Sequence, residues 1–531
     1  MTIVIDENGE TISDWTRSDI ANEFKKIFCD ENILRLLKEK TPTTYLWTYC
    51  MSHVVTMNSF GVMTTASNID LPKTHNIALI KRLLQVLKTI FYSFIRSIRE
   101  NSVDPIDILF ISRDRFLMIK TEKGWIKSDY LFYSIIEGIK EKYPDKKIAL
   151  GCTSPPPGDL NIDAYYLYHS YNIVDLLKSL LFSCRISFQW FFLKRKIGAT
   201  DTINRPQASL FLARLNEFFS FFRMAAIHLI DSSYYHLFTK LQPHIIVLND
   251  DSMQLKPRTD DSSTVFIAMQ SASVLPSNEL YRRLFITNYG DESIKADYFL
   301  CTGEYYKNLK SFSKVAKKVV VTGQPRYDIL ARRSEMYDRL KMMRNLGLNT
   351  DKKLILWATQ THALPYEENV ENIDAVHDTM SSLEEVQLAI KLHPAENQIA
   401  PLYTGNDSWT PLILGKDWDI NALVFACDLL ITKDSTTAQE AVLLDKPVII
   451  LNLSGEQDRV NYVQEGVAIG VYEPAALAHA IKRSLNDTQF LEELKINREK
   501  YIRKYLFKND GKATERIIDL LDSLHERSNH S

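Results

Sequence analysis

Short uninterrupted apolar runs alternate along this chain with segments whose apolar positions recur at helical spacing. DILFISRDR, residues 107–115, reads as a buried strand entering a charged loop. SDYLFYSIIEGIKEKY has helical spacing, and KKIALGC, residues 146–152, is the next strand. Strand, charged loop, helix and strand form the βαβ unit of a parallel sheet. GCTSPPPGD ends that unit in a rigid proline-rich turn. Strand-like runs resume with HIIVLNDD, TVFIAMQ, DYFLCTG and KVVVTGQPRYD. A charged connector, ARRSEMYDRLKMMRNLGLNTDKK, separates them from a second set: KLILWATQTH, VQLAIKLHP, DLLITKDSTT and KPVIIL. These alternate with helical patterns such as INALVFAC and PAALAHAIKRSL. The expectation is an α/β fold with two doubly wound sheets.

The remaining segments read as helical additions. Residues 1–100 form a helical N-terminal extension, and residues 161–241, rich in aromatics, form a helical layer inserted into the first domain. On this reading the first Rossmann-like domain spans 101–335, the second 336–487, and residues 488–531 are C-terminal helices.

Composition narrows the function. A chain of 531 residues exceeds the size of a single core, so two or more domains are expected. Lys and Arg total 64 against 66 Asp and Glu, so no global charge favours nucleic acid, and an anionic ligand has to be held locally. The six cysteines lie far apart without zinc-like spacing, and the N-terminus carries acids where a secretion signal would carry a basic and then an apolar region. Both features point to a cytoplasmic protein. One segment bears on membranes: in residues 173–196, IVDLLKSLLFSCRISFQWFFLKRK, Lys178 and Arg185 interrupt the apolar positions and three basic residues close the run. That pattern fits an amphipathic helix packed on its own domain, with peripheral contact at the inner face of a membrane as the alternative.

In an open α/β sheet, ligands bind beyond the carboxyl ends of the strands. The residues there are polar: Gln360 after LILWA, His393 after LAIKL, and Lys433, Asp434, Ser435, Thr436 and Thr437 after DLLI. Thr436-x-x-Gln439 and Thr437-x-x-Glu440 both fit a capping box, predicting a helix that starts near Thr437. Such a start leaves backbone N–H groups and hydroxyls for a phosphate, with Lys433 adding a charge; the same residues also serve simply to cap the helix.

Together, KLHP, CDLLITKDSTTAQEAVLLDKPVIIL and EGVAIGV resemble the C-terminal domain of GT-B-type glycosyltransferases. The likeness is to the wider group that includes UDP-N-acetylglucosamine 2-epimerases, capsule polysaccharide transferases and CDP-glycerol glycerophosphotransferases. In that group a strand ends in Thr-Asp-Ser-Ser/Gly with an acid on the following helix, a frame matched by Asp434-Ser435-Thr436 and Glu440. VTGQPRYD, residues 321–328, resembles the end of the group's N-terminal domain. Where many relatives carry Gln-His-Gly, this chain has Gln270-Ser271-Ala272.

The resemblance implies two Rossmann-like domains facing a cleft, a nucleotide-activated donor on the C-terminal side, an acceptor on the N-terminal side, and no obligatory metal or other cofactor. It implies a glycosyltransferase acting on a nucleotide-activated sugar and a glycan or lipid-linked acceptor. The alternatives are a UDP-sugar 2-epimerase, a CDP-glycerol-type glycerophosphotransferase, or a non-catalytic nucleotide-sugar binding subunit. Lys433, Ser435 and Thr436 would hold the diphosphate. Gln360, Asp434, Thr437 and Glu440 would line the donor side, and His393 would donate to phosphate or sugar. The general base would be Asp114 or Asp250; Arg113 and Arg326 would contact phosphate, or Arg326 would brace the domains.

Overall fold

The apolar runs become strands of two parallel sheets, each covered by helices. The computed structural model describes residues 4–5, 11–12, 27, 30–50, 105–112, 116–121, 124–152, 162–166, 171–198, 206–248, 263–271, 295–360, 366–393, 411–415, 418–455 and 457–529. The first domain contains β1 (Ile108–Ile111), a hairpin of β2 (Phe116–Thr121) and β3 (Gly124–Asp129), then β4 (Ile148–Cys152), β5 (Asp163–Tyr166), β6 (Ile245–Leu248), β7 (Val265–Met269), β8 (Ala296–Cys301) and β9 (Ala316–Val321). Apart from the hairpin, these strands form one parallel sheet in the order β9-β8-β7-β6-β1-β4-β5. The order reverses between β1 and β6, whose last residues Ile111 and Leu248 are register partners.

The second domain repeats the plan with β10 (Lys353–Ala358), β11 (Val386–Lys391), β12 (Leu412–Leu414), β13 (Leu429–Thr432), β14 (Val448–Leu451) and β15 (Ile469–Val471). Its order, β12-β11-β10-β13-β14-β15, is that of a Rossmann fold, and the switch point falls between β10 and β13. The central strands β11, β10, β13 and β14 are buried at nearly every position. This is why they read as continuous apolar runs rather than as alternations.

Two features depart from the sequence pattern. The charged stretch after β1, expected as a loop, continues into the β2–β3 hairpin, an antiparallel pair with Phe116 opposite Asp129. Most of its side chains are only half-buried, so no period-two alternation marked it. The C-terminal helices, expected as an addition after residue 487, divide: the helix Thr488–Tyr501 stays beside the second domain, where Asn497 donates to the Gly466 carbonyl at 3.2 Å. The chain crosses back, and the helix Ala513–Asn529 lies against the helix Tyr133–Lys142 of the first. Ile517, Ile518 and Leu521 enter the same core as Ile135, Ile136 and Ile139. Lys142 pairs with Asp519 at 2.5 Å and Lys146 with Asp522 at 3.1 Å.

The insertion between β5 and β6 is helical as expected, with helices at Ile173–Gly198, Pro206–Phe218 and Phe221–Leu241. The N-terminal region docks on it: buried Asp231 accepts from the backbone N–H of Thr43 at 2.6 Å and from the hydroxyls of Thr43 and Tyr49, each at 2.5 Å.

Candidate functional site

The polar residues after β10 and β13 meet at the switch point of the C-terminal sheet. Two residues beyond β10, Gln360 turns its amide towards β13. Its Nε2 donates to Asp434 Oδ1 at 2.5 Å, and its Oε1 accepts from the Asp434 backbone N–H at 2.9 Å. Thr432 adds a hydroxyl donor to the Ala358 carbonyl at 3.1 Å. The register pairing of these strands ends at Trp357 and Ile431, and the Gln360 side chain supplies the donor and acceptor that the ladder no longer provides. Arg459, on the segment after β14, completes the group, with Nη1 3.4 Å from Asp434 Oδ2. Sequence reasoning missed Arg459, although its own rule applied: LNLSGEQDR follows the apolar run VIIL, so a polar strand end was visible there too.

The helix expected near Thr437 runs from Thr437 to Leu443, but its cap differs from the capping box. Thr436 is already in the right-handed helical region and makes no side-chain cap bond. Ser435 takes that role: its hydroxyl accepts from the Thr437 backbone N–H at 3.2 Å and donates to the Thr437 hydroxyl at 3.0 Å. Tyr462 donates to the Ser435 carbonyl at 3.1 Å, fixing the turn from behind. Lys433, expected to face a phosphate, forms an ion pair with Glu368 of the helix Tyr366–Ser381. His393 lies partly buried, just past β11 on the same edge.

Gln439 and Glu440 point away from the crevice and into the seam between the domains. Arg326 lies across that seam with its side chain 7% exposed, facing a Glu440 side chain that is 2% exposed. Its Nη2 is 3.8 Å from Glu440 Oε1 and donates to the Tyr327 hydroxyl at 2.6 Å, while Nη1 donates to the Tyr130 hydroxyl at 3.2 Å. The guanidinium also covers both tyrosine rings, at 5.1 Å and 4.7 Å from their centroids. Tyr130 donates to Glu440 at 3.4 Å, and Tyr327 to Gln439 at 2.9 Å. Burial drives the Glu440 carboxyl above its usual range, with Arg326 the largest opposing influence. Of the two roles expected for Arg326, this geometry is the interdomain brace. Glu440, expected to meet ribose or sugar hydroxyls, is sealed beneath it.

Beside the brace, a cavity of about 590 Å³ opens between the domains, lined by Tyr130, Tyr133 and Arg326 from one direction and Tyr337, Asp419 and Asn421 from the other. Asp419 caps the helix Ile420–Ala426, accepting from the Asn421 N–H at 3.0 Å. Burial raises its carboxyl to about 6 despite that bond.

Arg113, Asp114 and Asp250 lie outside the described residues. The strands they follow, β1 and β6, end side by side at the switch point of the N-terminal sheet. At the departure from the Gln-His-Gly pattern, Gln270 and Ser271 are buried. Gln270 accepts from the Thr302 N–H at 3.0 Å through its side chain and from Gln324 at 3.0 Å through its carbonyl. That segment is held by packing on its own sheet. Among the described residues, one group of three potential metal ligands comes together, Asp107, His244 and His525, with ligand atoms within 4.8 Å of one another. It sits at the amino ends of β1 and β6, the opposite edge from the crevice. There His525 Nε2 is 2.7 Å from Asp107 and ties the last helix to the first sheet.

The profile of the CDP-glycerol:poly(glycerophosphate) glycerophosphotransferases matches residues 232–523. The chain belongs to that family. The match runs from residue 232, ahead of β6, through the whole C-terminal sheet to residue 523 in the returning helix; β1 to β5 lie before it. The family is one of transferases, and the donor side of the site is read in those terms.

Among solved structures the chain is similar to the wall teichoic acid polymerase TagF, at 14% identity and a TM-score of 0.48, covering 86% of this chain and 99% of that one. It is also similar to a putative UDP-N-acetylglucosamine 2-epimerase from Listeria monocytogenes, at 15% identity and a TM-score of 0.45, with 80% and 97% covered. A third is S. aureus MnaA in complex with UDP, at 15% identity and a TM-score of 0.46, with 78% and 96% covered. No curated protein matches the chain in a sequence search.

Proposed function

We propose that this protein transfers a phosphoglycerol-type unit from a CDP-activated donor to a hydroxyl of a surface-polymer acceptor, releasing CMP. The observation that carries this reading is the family match over residues 232–523, which includes the whole C-terminal sheet. The sequence resemblance placed a nucleotide sugar first, with CDP-glycerol among the alternatives; the match favours CDP-glycerol.

In the reaction, an acceptor hydroxyl oxygen attacks the phosphorus bearing the glycerol. A P–O bond forms to the acceptor, the P–O bond to CMP breaks with its electron pair, and the acceptor proton passes to a base. Such a transfer asks the protein chiefly for positioning and for donors aimed at phosphate oxygens. The carboxyl edge of the C-terminal sheet offers these: the Thr436 hydroxyl on the turn that Ser435 caps, His393 after β11, and Arg459 held by Asp434. Arg459 joins Lys433 in the cationic role, each side chain oriented by a carboxylate, Asp434 for Arg459 and Glu368 for Lys433. His393 is the base or phosphate donor on the C-terminal side. Asp114 and Asp250, which follow the paired ends of β1 and β6, are the bases available to an acceptor on the other side.

Incubating the protein with CDP-glycerol and, in parallel, with UDP-N-acetylglucosamine, each with a glycerophosphate-polymer acceptor, tests the reading. CMP release with polymer extension is expected, falling at least about a hundredfold in His393→Ala. UDP release in place of CMP would overturn it.

A further inference from the structure

The returning helix brings a third ligand to a pair already set level on the first sheet. Asp107 and His244 each stand one residue ahead of a strand, β1 and β6, and because Ile108 and Ile245 are register partners the two lie side by side at the amino edge. The backbone fixes that match: the Ile245 N–H donates to the Asp107 carbonyl at 2.9 Å, and the His244 N–H to the Ile106 carbonyl at 3.3 Å. His525 arrives on the helix Ala513–Asn529, whose Leu521 and Leu524 are buried in the core that covers this sheet. The fold alone joins residues 107, 244 and 525, so no spacing in the sequence marks them.

Their side chains converge on one carboxylate oxygen. His525 Nε2 lies 2.7 Å from Asp107 Oδ1, and His244 Nδ1 lies 3.7 Å from the same atom. The imidazole rings are 5.2 Å apart and inclined at 68°. With metal–ligand bonds of about 2.1 Å, tetrahedral neighbours around a zinc ion stand about 3.4 Å apart, so the two separations bracket what a shared ion requires. The other Asp107 oxygen, Oδ2, accepts from the Lys147 backbone N–H at 2.7 Å, the kind of outer contact that aims a metal-binding carboxylate. Lys146 also approaches this edge, but its ammonium is engaged by Asp522 at 3.1 Å.

His244 is what a hydrogen bond alone leaves unexplained. Although its side chain is 37% exposed, its Nδ1 is turned inward, buried and without a hydrogen-bond partner among the described residues. A polar atom shut away from water normally has a partner. The pairing of His525 with Asp107 accounts for two of the three residues, and a cation at their centre accounts for the third. Two imidazoles and one carboxylate suit Zn2+ rather than Mg2+ or Ca2+, which take oxygen ligands. The exposed side of His244 lets a water complete four-coordination.

We infer that Asp107, His244 and His525 form a binding site for one Zn2+ ion that fastens the returning helix to the first sheet. The ion takes the place of the proton between His525 Nε2 and Asp107 Oδ1. The site lies at the opposite edge from the crevice, so it stands apart from the transfer and does not depend on which donor the crevice takes.

The test is calorimetric titration of the full chain, stripped with EDTA, with zinc chloride, paired with hydrogen exchange. Uptake of one ion per chain is expected, with slower exchange along Ala513–Asn529. In H244A, which removes a ring that makes no hydrogen bond through Nδ1, circular dichroism should be unchanged. Zinc affinity there, and in H525Q, should fall at least about a hundredfold, since losing even an outer contact of a metal ligand costs about ten- to a hundredfold. Magnesium chloride should produce neither heat nor protection. A wild-type chain that binds no zinc would overturn the inference. So would zinc uptake that both variants leave intact, which would belong to the exposed Cys184 or another group, or zinc binding that leaves exchange along Ala513–Asn529 unchanged.

Discussion

Gln360 and Asp434, 74 positions apart in the chain, face each other across the switch point of the C-terminal sheet through two hydrogen bonds of 2.5 and 2.9 Å. Both are half-buried, and one amide serves Asp434 as donor and acceptor at once. Gln360→Glu removes the donor and sets a second carboxylate against Asp434. A loss of roughly 1–3 kcal/mol in urea denaturation at pH 7 is expected, with part regained as the pH is lowered enough to protonate the pair. Unchanged stability would mean that the amide does not hold the crevice together.

Arg326 and Glu440 make a second test, this time between domains. Arg326→Met leaves Glu440 buried without its cation, which costs about 3–5 kcal/mol in comparable sites. Adding Glu440→Gln removes the stranded charge, so the double variant should be more stable than Arg326→Met alone, a coupling readable in a double-mutant cycle. If Arg326 instead served only to bind donor phosphate, Arg326→Met would raise the donor KM and leave the unfolding midpoint unchanged.

Much of the fold was legible because parallel strands buried on both faces are apolar throughout. IILF-type runs such as Leu354–Ala358 and Val448–Leu451 announce themselves without any partner being known. The start of the helix at Thr437 was equally readable from local residue types. The pairings were not. Lys433 and Glu368 are separated by 65 positions, and nothing local marks Lys433 as paired rather than waiting for a phosphate. Glu440 looked like a ligand-facing acid because the residues flanking it say where the helix begins, not which face meets Arg326. The cap passed from Thr436 to Ser435 for a similar reason: hydroxyls in a row are interchangeable on paper, and Tyr462, holding the Ser435 carbonyl, selects among them.

Gly303 marks where the returning chain touches the first domain. A Cβ there would lie 2.3 Å from the carbonyl carbon of Tyr505 and 2.7 Å from the carbonyl oxygen of Lys504. These are backbone atoms, and Thr302 fixes them further by donating to the Tyr505 carbonyl at 3.0 Å. Gly303→Ala must therefore shift the crossing segment rather than a flexible side-chain tip. A loss of about 1–3 kcal/mol is expected. Hydrogen exchange should quicken along Ile502–Leu506 and the helix Ala513–Asn529, while β10 and β13 keep their protection.

Asp419 gives the cavity between the domains a pH response in the mildly acidic range. Its carboxyl is raised from 3.8 to about 6, burial being the main cause and the backbone N–H groups of Asn421 and Ala422 opposing it. An acid whose value is higher folded than unfolded holds its proton more tightly in the folded state. Between about pH 4 and about pH 6 the folded chain therefore binds more protons, and this group's contribution to stability falls as the pH rises through that window. The full difference is worth at most roughly 3 kcal/mol, and less to the extent that water reaches the carboxyl through the cavity. Asp419→Asn keeps an oxygen to cap the helix Ile420–Ala426 but has no proton to lose. The variant should be more stable than wild type at pH 7.5, close to it at pH 4.5, and flatter between them in chemical denaturation. A wild-type slope that persists unchanged in Asp419→Asn would assign the response to another group.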